Sequence, residues 1–378
     1  MEKLDLCSAL AHASSSRVIS GAHVLSFQPT KEPNEDRYLV EEWPLHTGLW
    51  RFFAVFDGHG AGTEAVEFVL AALPSAIKSA LSTLTSEDIS DARIEDVLVN
   101  CMRHVDMRIQ TDFLALFPGV IDDLSQDDIH RAIRDPDSVQ GHSRIEVLRA
   151  RTGTTAVVAL VDPTRSIHVA SLGDCDAVLG TTSKKGHPKI LSKRHNCTND
   201  SEVERIRAEH PGEIECVNTE TSRTLGLIAV TRAMGDTLFK IPAGYTERVA
   251  PLSLPPMHPN YDLQGLAARN ITPPYLSNIA EVMHLSLLRT DVLAAPPLLI
   301  MASDGLINIL SRTKRGPQIS EAASSWCSAA LSEATQNMAV NILWDALQPE
   351  DGENLYKSMV DGQYGRRVDD ITIIVSPL

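Results

Sequence analysis

The sequence predicts an α+β fold of antiparallel sheets flanked by helices, and two observations carry that reading. Runs rich in Val, Ile, Leu and Phe lie next to one another instead of alternating one for one with helical blocks, which disfavours a doubly wound parallel sheet. Residues 155–161 (TAVVALV) and 166–171 (SIHVAS) flank the turn Asp162-Pro163-Thr164, a hairpin pattern, and residues 177–180 (AVLG) continue the meander. Helical periodicity occupies residues 64–73, 201–209 and 322–347. Two stretches read as insertions on this scaffold. Residues 82–143 are helical and charge-rich, whereas residues 241–274 are proline-rich with weak periodicity and read as a long surface loop.

Composition narrows the function classes. With 378 residues and 43% hydrophobic content the chain can bury a large core. A formal charge of −15 argues against a nucleic-acid surface, which needs clustered Lys and Arg. Six cysteines without Cys-x-x-Cys spacing suggest neither a disulfide framework nor a zinc site. No apolar run reaches membrane-spanning length, so no membrane insertion is expected. Glu2 and Asp5 beside only Lys3 and Arg17 make a poor signal peptide and a weak mitochondrial presequence, which favours the cytoplasm. Oligomeric state is not legible.

The chemistry is carried by carboxylates at the ends of strand-like runs. Residues 52–62 (FFAVFDGHGAG) deliver Asp57 onto a glycine-rich turn, with His59 two residues on. Residues 298–306 (LLIMASDGL) repeat the theme at Asp304. Asn34-Glu35-Asp36, Leu172-Gly173-Asp174 and Asp369-Asp370 complete the set. Each alone reads as a turn, since Asp-Gly is a common hairpin signal and a lone loop histidine is most often solvated. Together they can converge on one edge of a sheet system, where mutual repulsion is costly unless cations neutralise it. A dinucleotide turn fits poorly, because Thr63 stands where the third glycine belongs and Asp57 would repel a pyrophosphate. Neither a P-loop nor a Gly-x-Ser-x-Gly elbow occurs.

Seven segments in order, Asn34-Glu35-Asp36-Arg37-Tyr38, Asp57-Gly58-His59-Gly60, residues 152–156 (TGTTA), Gly173-Asp174, residues 231–236 (TRAMGD), residues 302–306 (ASDGL) and Asp369-Asp370-Ile371-Thr372, resemble the metal-dependent serine/threonine protein phosphatases of the phosphatase 2C family. Residues 195–200 (HNCTND), residues 272–276 (TPPYL) and the ending 368–375 (VDDITIIV) are similar to its pyruvate dehydrogenase phosphatase branch, which hints at mitochondria. The resemblance implies one domain over 1–378, with a core from about residue 20 onward, and a β-sandwich of two antiparallel sheets flanked by helices. It also implies two Mg²⁺ or Mn²⁺ ions, with a looser third, and a phosphoprotein substrate. By the same resemblance Asp57 bridges both metals, the Gly58 carbonyl and Glu35 bind the second, and Asp304 and Asp369 bind the first. Asp174 joins Asp304 on the third cation, Asp36 orients metal-bound water, and His59 is the general acid. All-oxygen ligands suit Mg²⁺ or Mn²⁺ rather than Zn²⁺. The implied reaction is direct attack of a metal-bridging hydroxide on phosphoserine or phosphothreonine.

There are departures from the family pattern. Lys31 stands where many relatives carry a phosphate-gripping arginine, and so loses the bidentate fork; it is either the phosphate-binding residue or a solvated surface lysine. Ile307 and Asn308 replace Trp and an acid after Asp304, a change expected to alter packing without touching a ligand. Ala61 replaces a frequent glycine, and Cys175-Asp176 stands where Ser-Arg is common, which leaves the loop around Asp174 the least defined. A catalytically weak phosphoprotein-binding scaffold and a hydrolase of small phosphoesters are the alternatives.

Overall fold

The computed structural model describes residues 13–28, 33–182, 187–258, 261–288, 295–312, 319–347 and 369–378. Strand β4 (Gly48–His59) shows how the sequence builds the layers. Phe52, Ala54 and Phe56 point to a helical layer, while Phe53 and Val55 point to a second sheet. Both faces are covered, so the run is apolar throughout instead of alternating with polar residues.

β4 lies in a sheet with β3 (Arg37–Leu45), β5 (Gly153–Val161), β6 (Ser166–Leu172) and β12 (Glu281–Ser286), in the order β12-β6-β5-β4-β3. The second sheet runs β1-β2-β14-β13-β7-β8, made of Ser14–Ile19, Ala22–Phe27, Ile371–Pro377, Pro297–Ala302, Asp176–Thr181 and Lys189–Ile190. Every pairing in both is antiparallel. Val55, Val157, Val169, Leu299, Met301 and Ile374 are among the side chains filling the space between the sheets. This is the expected sandwich.

Helices close the outer faces. α1 (Glu64–Leu81) and α2 (Asp91–Leu114) cover the first sheet. α1 runs past Leu73 through Pro74, beyond the periodicity legible in the sequence. An interior proline costs about 3 kcal/mol, and burial of Ile77 and Leu81 beyond it offsets that cost. Residues 82–143 are helical as expected, with α2 followed by α3 (Gln126–Ile133); α4 (Ile145–Arg151) then leads into β5. α8 (Asp304–Arg312), α9 (Ile319–Ala330) and α10 (Met338–Ala346) cover the second sheet.

Three expectations are corrected. The pattern at 322–347 is not one helix: α9 and α10 are separate, and Asn337 caps α10 by accepting from the Ala339 and Val340 amides. β7 does not continue the meander but crosses to pair with β13. Residues 241–274 are not simply a surface loop. They contain α6 (Ala243–Arg248) and α7 (Leu263–Arg269), and Ile241 and Val249 pack with Phe113, Phe117 and Ile121. Helices of six and seven residues are too short to establish a period. Between β8 and α6, the chain forms α5 (Asp200–Glu209) and the short hairpin β9 (Val217–Asn218) and β10 (Arg223–Thr224), followed by β11 (Met234–Gly235), which pairs with β5.

Candidate active site

The acidic segments arrive from both sheets at one end of the sandwich. Asp57 is within β4, opposite Thr155 of β5, and not on a turn as the Asp-Gly pair suggested. Its backbone carbonyl accepts from Thr154 Oγ1 at 3.0 Å. Asp174 follows β6, Asp304 opens α8 after β13, and Asp369 precedes β14. Asp57, His59, Asp174, Asp304 and Asp369 all line one cleft of about 560 Å³.

Glu35 and Asp36 reach this end from the segment before β3. The Glu35 amide donates to Asp370 Oδ2 at 2.6 Å, and Glu35 Oε1 accepts from the Gly62 amide at 2.8 Å. Gly58 makes this approach possible: a Cβ there would stand 2.5 Å from the Glu35 carbonyl oxygen. Asp36 is buried, and its Oδ2 accepts from Ser303 Oγ at 2.7 Å. Its Oδ1 has no hydrogen-bond partner among the described residues.

The electrostatics express crowding of like charge. Burial pushes the Asp57 carboxyl well above its ordinary value, and the charges of Asp36, Asp304, Asp369 and Asp174 push it further. Asp304 is raised in the same way, by burial and then by Asp174 and Asp369, against an opposing hydrogen bond from Asn308. Burial brings Asp36 up to about 7. Among the described residues no three His, Cys, Asp or Glu side chains are drawn together as a closed coordination sphere. The carboxylates nonetheless face one space, offer only hard oxygen donors, and include an orphaned buried oxygen on Asp36. That donor set fits Mg²⁺ or Mn²⁺.

His59 Nε2 lies 2.7 Å from Asp236 Oδ2. Burial pulls the imidazole pKa down, but the charge and hydrogen bond of Asp236, then Glu35 and Asp174, raise it on balance. A Cβ on Gly153 would fall 2.0 Å from Asp236 Oδ2 and 2.5 Å from His59 Nε2, so only glycine leaves room for the pair.

Several contacts escape sequence reasoning. Asp236 belongs to the quoted segment 231–236, yet nothing in the sequence pairs it with a residue 177 positions away. Asn308 does touch an expected ligand, contrary to the packing-only reading: its Nδ2 donates to Asp304 Oδ2 at 3.0 Å, one helical turn along α8. Asn196 Nδ2 donates to Asp174 Oδ2 at 3.1 Å, and Arg194 holds Asp176, with Nε 2.9 Å from Oδ1. Lys31 lies outside the described residues.

The molecule is thus a four-layer sandwich with an acidic, histidine-bearing cleft at one end, whose hard oxygen donors suit divalent cations. The family model for protein phosphatase 2C matches residues 21–354, and the chain belongs to that family. It is a family of protein serine/threonine phosphatases whose members depend on Mg²⁺ or Mn²⁺. [Pyruvate dehydrogenase [acetyl-transferring]]-phosphatase 1, mitochondrial, of Bos taurus is 30% identical over 234 residues, or 61% of this chain and 39% of that protein. A protein phosphatase 2C homolog of Schizosaccharomyces pombe is 26% identical over 313 residues, or 81% of this chain and 63% of that protein. The chain thus spans less than two thirds of the length of these curated relatives. Serine-threonine phosphatase 2C from Toxoplasma gondii has the same fold, with a TM-score of 0.53 at 15% identity, covering 96% of this chain and 98% of that one.

Proposed function

We propose that this chain is a metal-dependent protein phosphatase acting on phosphoserine and phosphothreonine. The observation that carries the reading is the gathering of Asp57, Asp174, Asp304 and Asp369 around one cleft with His59 beside them. Asp57, the Gly58 carbonyl, Glu35, Asp304 and Asp369 are the residues that would hold two cations, with Asp174 and Asp304 on a weaker third. Once bound, the cations supply Lewis-acid chemistry, neutralising the carboxylates, activating water at neutral pH and drawing charge from the phosphoryl oxygens. Asp36, buried and with Oδ1 lacking a hydrogen-bond partner among the described residues, orients attacking water. His59, whose proton Asp236 helps to hold, donates it to the departing serine or threonine oxygen. Lys31 is the candidate for gripping the substrate phosphate.

A single domain over 1–378 is part of the same proposal, and the family match over residues 21–354 supports a phosphoprotein substrate. The compartment in the bovine protein's name supports a mitochondrial location over the cytoplasm inferred from residues near Met1. No described helix is long and apolar enough to cross a membrane.

The test is hydrolysis of phosphopeptides, p-nitrophenyl phosphate and a panel of sugar and nucleotide phosphates at matched concentration, with Mn²⁺ or with EDTA. Phosphopeptide turnover that EDTA stops and Asp57→Asn abolishes is expected. His59→Gln should lose about 10²–10⁴-fold on phosphopeptide and little on the aryl ester, whose leaving group needs no proton. Turnover of metabolites alone would replace the protein substrate with a small one. Phosphopeptide binding without turnover would make the chain a scaffold.

A further inference from the structure

The cleft holds a cation that the proposed chemistry leaves unused. Beyond the carboxylates the cleft continues along the turn into β10 and residues 227–230, and two arginines line it, Arg151 and Arg223. Arg223 is exposed on its hairpin. Arg151, the last residue of α4, is half-buried and held in place. Its Nη1 donates to Ser253 Oγ at 3.4 Å and to the Pro255 carbonyl. That segment is itself clamped, because the Ser143 amide donates to the Leu254 carbonyl at 2.8 Å and the Leu254 amide donates to Ser143 Oγ at 2.9 Å. Among the described residues Arg151 Nη2 makes no hydrogen bond, Nε is buried without a partner, and no carboxylate stands within ion-pair distance of the guanidinium.

We propose that Arg151 is a specificity-determining residue that binds an acidic side chain next to the phosphoserine or phosphothreonine of the substrate. The assignment rests on the phosphatase reading of the cleft, which fixes where the peptide lies. In-line displacement puts the attacking water and the departing oxygen on opposite sides of phosphorus. His59 protonates the departing oxygen, so the peptide that carries this oxygen extends on the His59 side. Arg151 is on that side: a Cβ on Gly60, next to His59, would stand 3.3 Å from the Arg151 carbonyl oxygen. Its guanidinium does not reach the phosphoryl position. The strongest charges acting on Asp57 and Asp304 are those of other carboxylates, and the charge that Arg151 feels is that of Glu64, outside the cluster. What remains for Nη2 is a neighbouring residue of the peptide. A planar guanidinium anchored at one nitrogen is preorganised to donate to a carboxylate. Five aspartates line the cleft in a chain of formal charge −15, a field that repels acidic peptides. A cation at the rim offsets that field where a flanking carboxylate would lie.

The test uses phosphoserine peptides of one parent sequence in which aspartate is walked through the positions flanking the phosphoserine, assayed on the full chain with Mn²⁺. At one or two positions the acidic peptide should exceed its alanine counterpart by about ten-fold in kcat/KM, mainly through KM, the size of one charge-assisted hydrogen bond at a half-buried site. Arg151→Ala should bring that ratio to about one. Arg151→Glu should invert it in favour of lysine at the same position, a gain that misfolding cannot produce. Arg103→Ala, at an exposed position of α2, should keep the native ratio. Binding of the same peptides to the Asp57→Asn chain is read by fluorescence anisotropy. An acidic preference in binding that adding Arg151→Ala removes, without turnover by the unmutated chain, would sustain the rim contact and refute the phosphatase reading. Turnover with no acidic preference, or a preference that survives in Arg151→Ala, would overturn the role of Arg151 and leave the phosphatase reading standing. An equal loss on acidic and neutral peptides would overturn it too, leaving Arg151 a strut for residues 253–255.

Discussion

Replacing Asp236 with asparagine tests the acid role proposed for His59 without touching a carboxylate that raises the Asp57 pKa. The His59–Asp236 contact is 2.7 Å, with the Asp236 side chain only 5% exposed. A charge-assisted hydrogen bond of this kind is worth about 1.5–3 kcal/mol, a factor of about 10–100 in how firmly the imidazole holds its proton. Burial opposes the charged ring and Asp236 is its largest support, so removing Asp236 lowers the pKa. Above that pKa the ring has no proton to give. The basic limb of the kcat/KM profile on a phosphopeptide should therefore move to lower pH. At a pH above the native limb this is a loss of about 10–100-fold, while p-nitrophenyl phosphate should be nearly unaffected. The same linkage applies to stability: the pair's contribution is present at low pH and disappears as pH rises through the raised folded pKa. Gly153→Ala, which puts a methyl between the two side chains, should reproduce the shift. A basic limb that stays in place, or equal losses on both substrates, would refute the reasoning.

Three stability predictions follow from residues that are not among the clustered carboxylates. Glu202 is buried and accepts from Thr231 Oγ1 at 2.6 Å, Arg232 Nε at 3.0 Å and Arg205 Nη2 at 2.9 Å. Glu202→Gln should cost about 3–5 kcal/mol by urea unfolding. Burial works against the Glu202 charge, but these hydrogen bonds hold its pKa well below the usual range. Its stabilisation is thus full above the unfolded value and is lost as pH falls toward the folded one, so the variant should flatten the acid limb of stability. Ala61 has φ +58, the left-handed region; Ala61→Gly should raise stability by about 1 kcal/mol, read as a higher urea midpoint. Lys240 Nζ sits 2.6 Å from Asp106 Oδ1, both buried. Lys240→Met should cost about 3–5 kcal/mol, and adding Asp106→Leu should restore part of it by removing the stranded charge, measured as a double-mutant cycle.

What the sequence made legible follows from what local pattern can encode. Continuous apolar runs such as 52–56 and 298–302 become strands buried on both faces, and the polar residues that end them are placed by strand length alone. Asp57, Asp174, Asp304 and Asp369 were therefore readable one by one, and their meeting was readable from charge. Partners fixed by tertiary approach were not. Asp236 reaches His59 only because β11 pairs with the Gly153 end of β5, and no periodicity reports that. Asn308 is different: its spacing of four from Asp304 on a helix is a local signal, which the family's Trp and acid after this aspartate obscure. Short helices within 241–274 were hidden by length, and the crossing of β7 by the absence of any sheet label in its own residues.

The place of β14 has a consequence for the order in which the molecule is made. Drawn from residues 371–377, β14 lies between β2 and β13, so neither of those strands completes its hydrogen bonding until this segment arrives. Asp369 and Asp370 arrive with it. Until then the second sheet is two fragments and the acidic cleft lacks one wall, whatever the state of the first sheet. Joining residues so distant in the chain is slow, and the joining step is also the one that brings the repelling carboxylates together. Cation supply should therefore accelerate the last stage of folding, and the onset of turnover on a refolding or nascent chain should mark the insertion of that final strand.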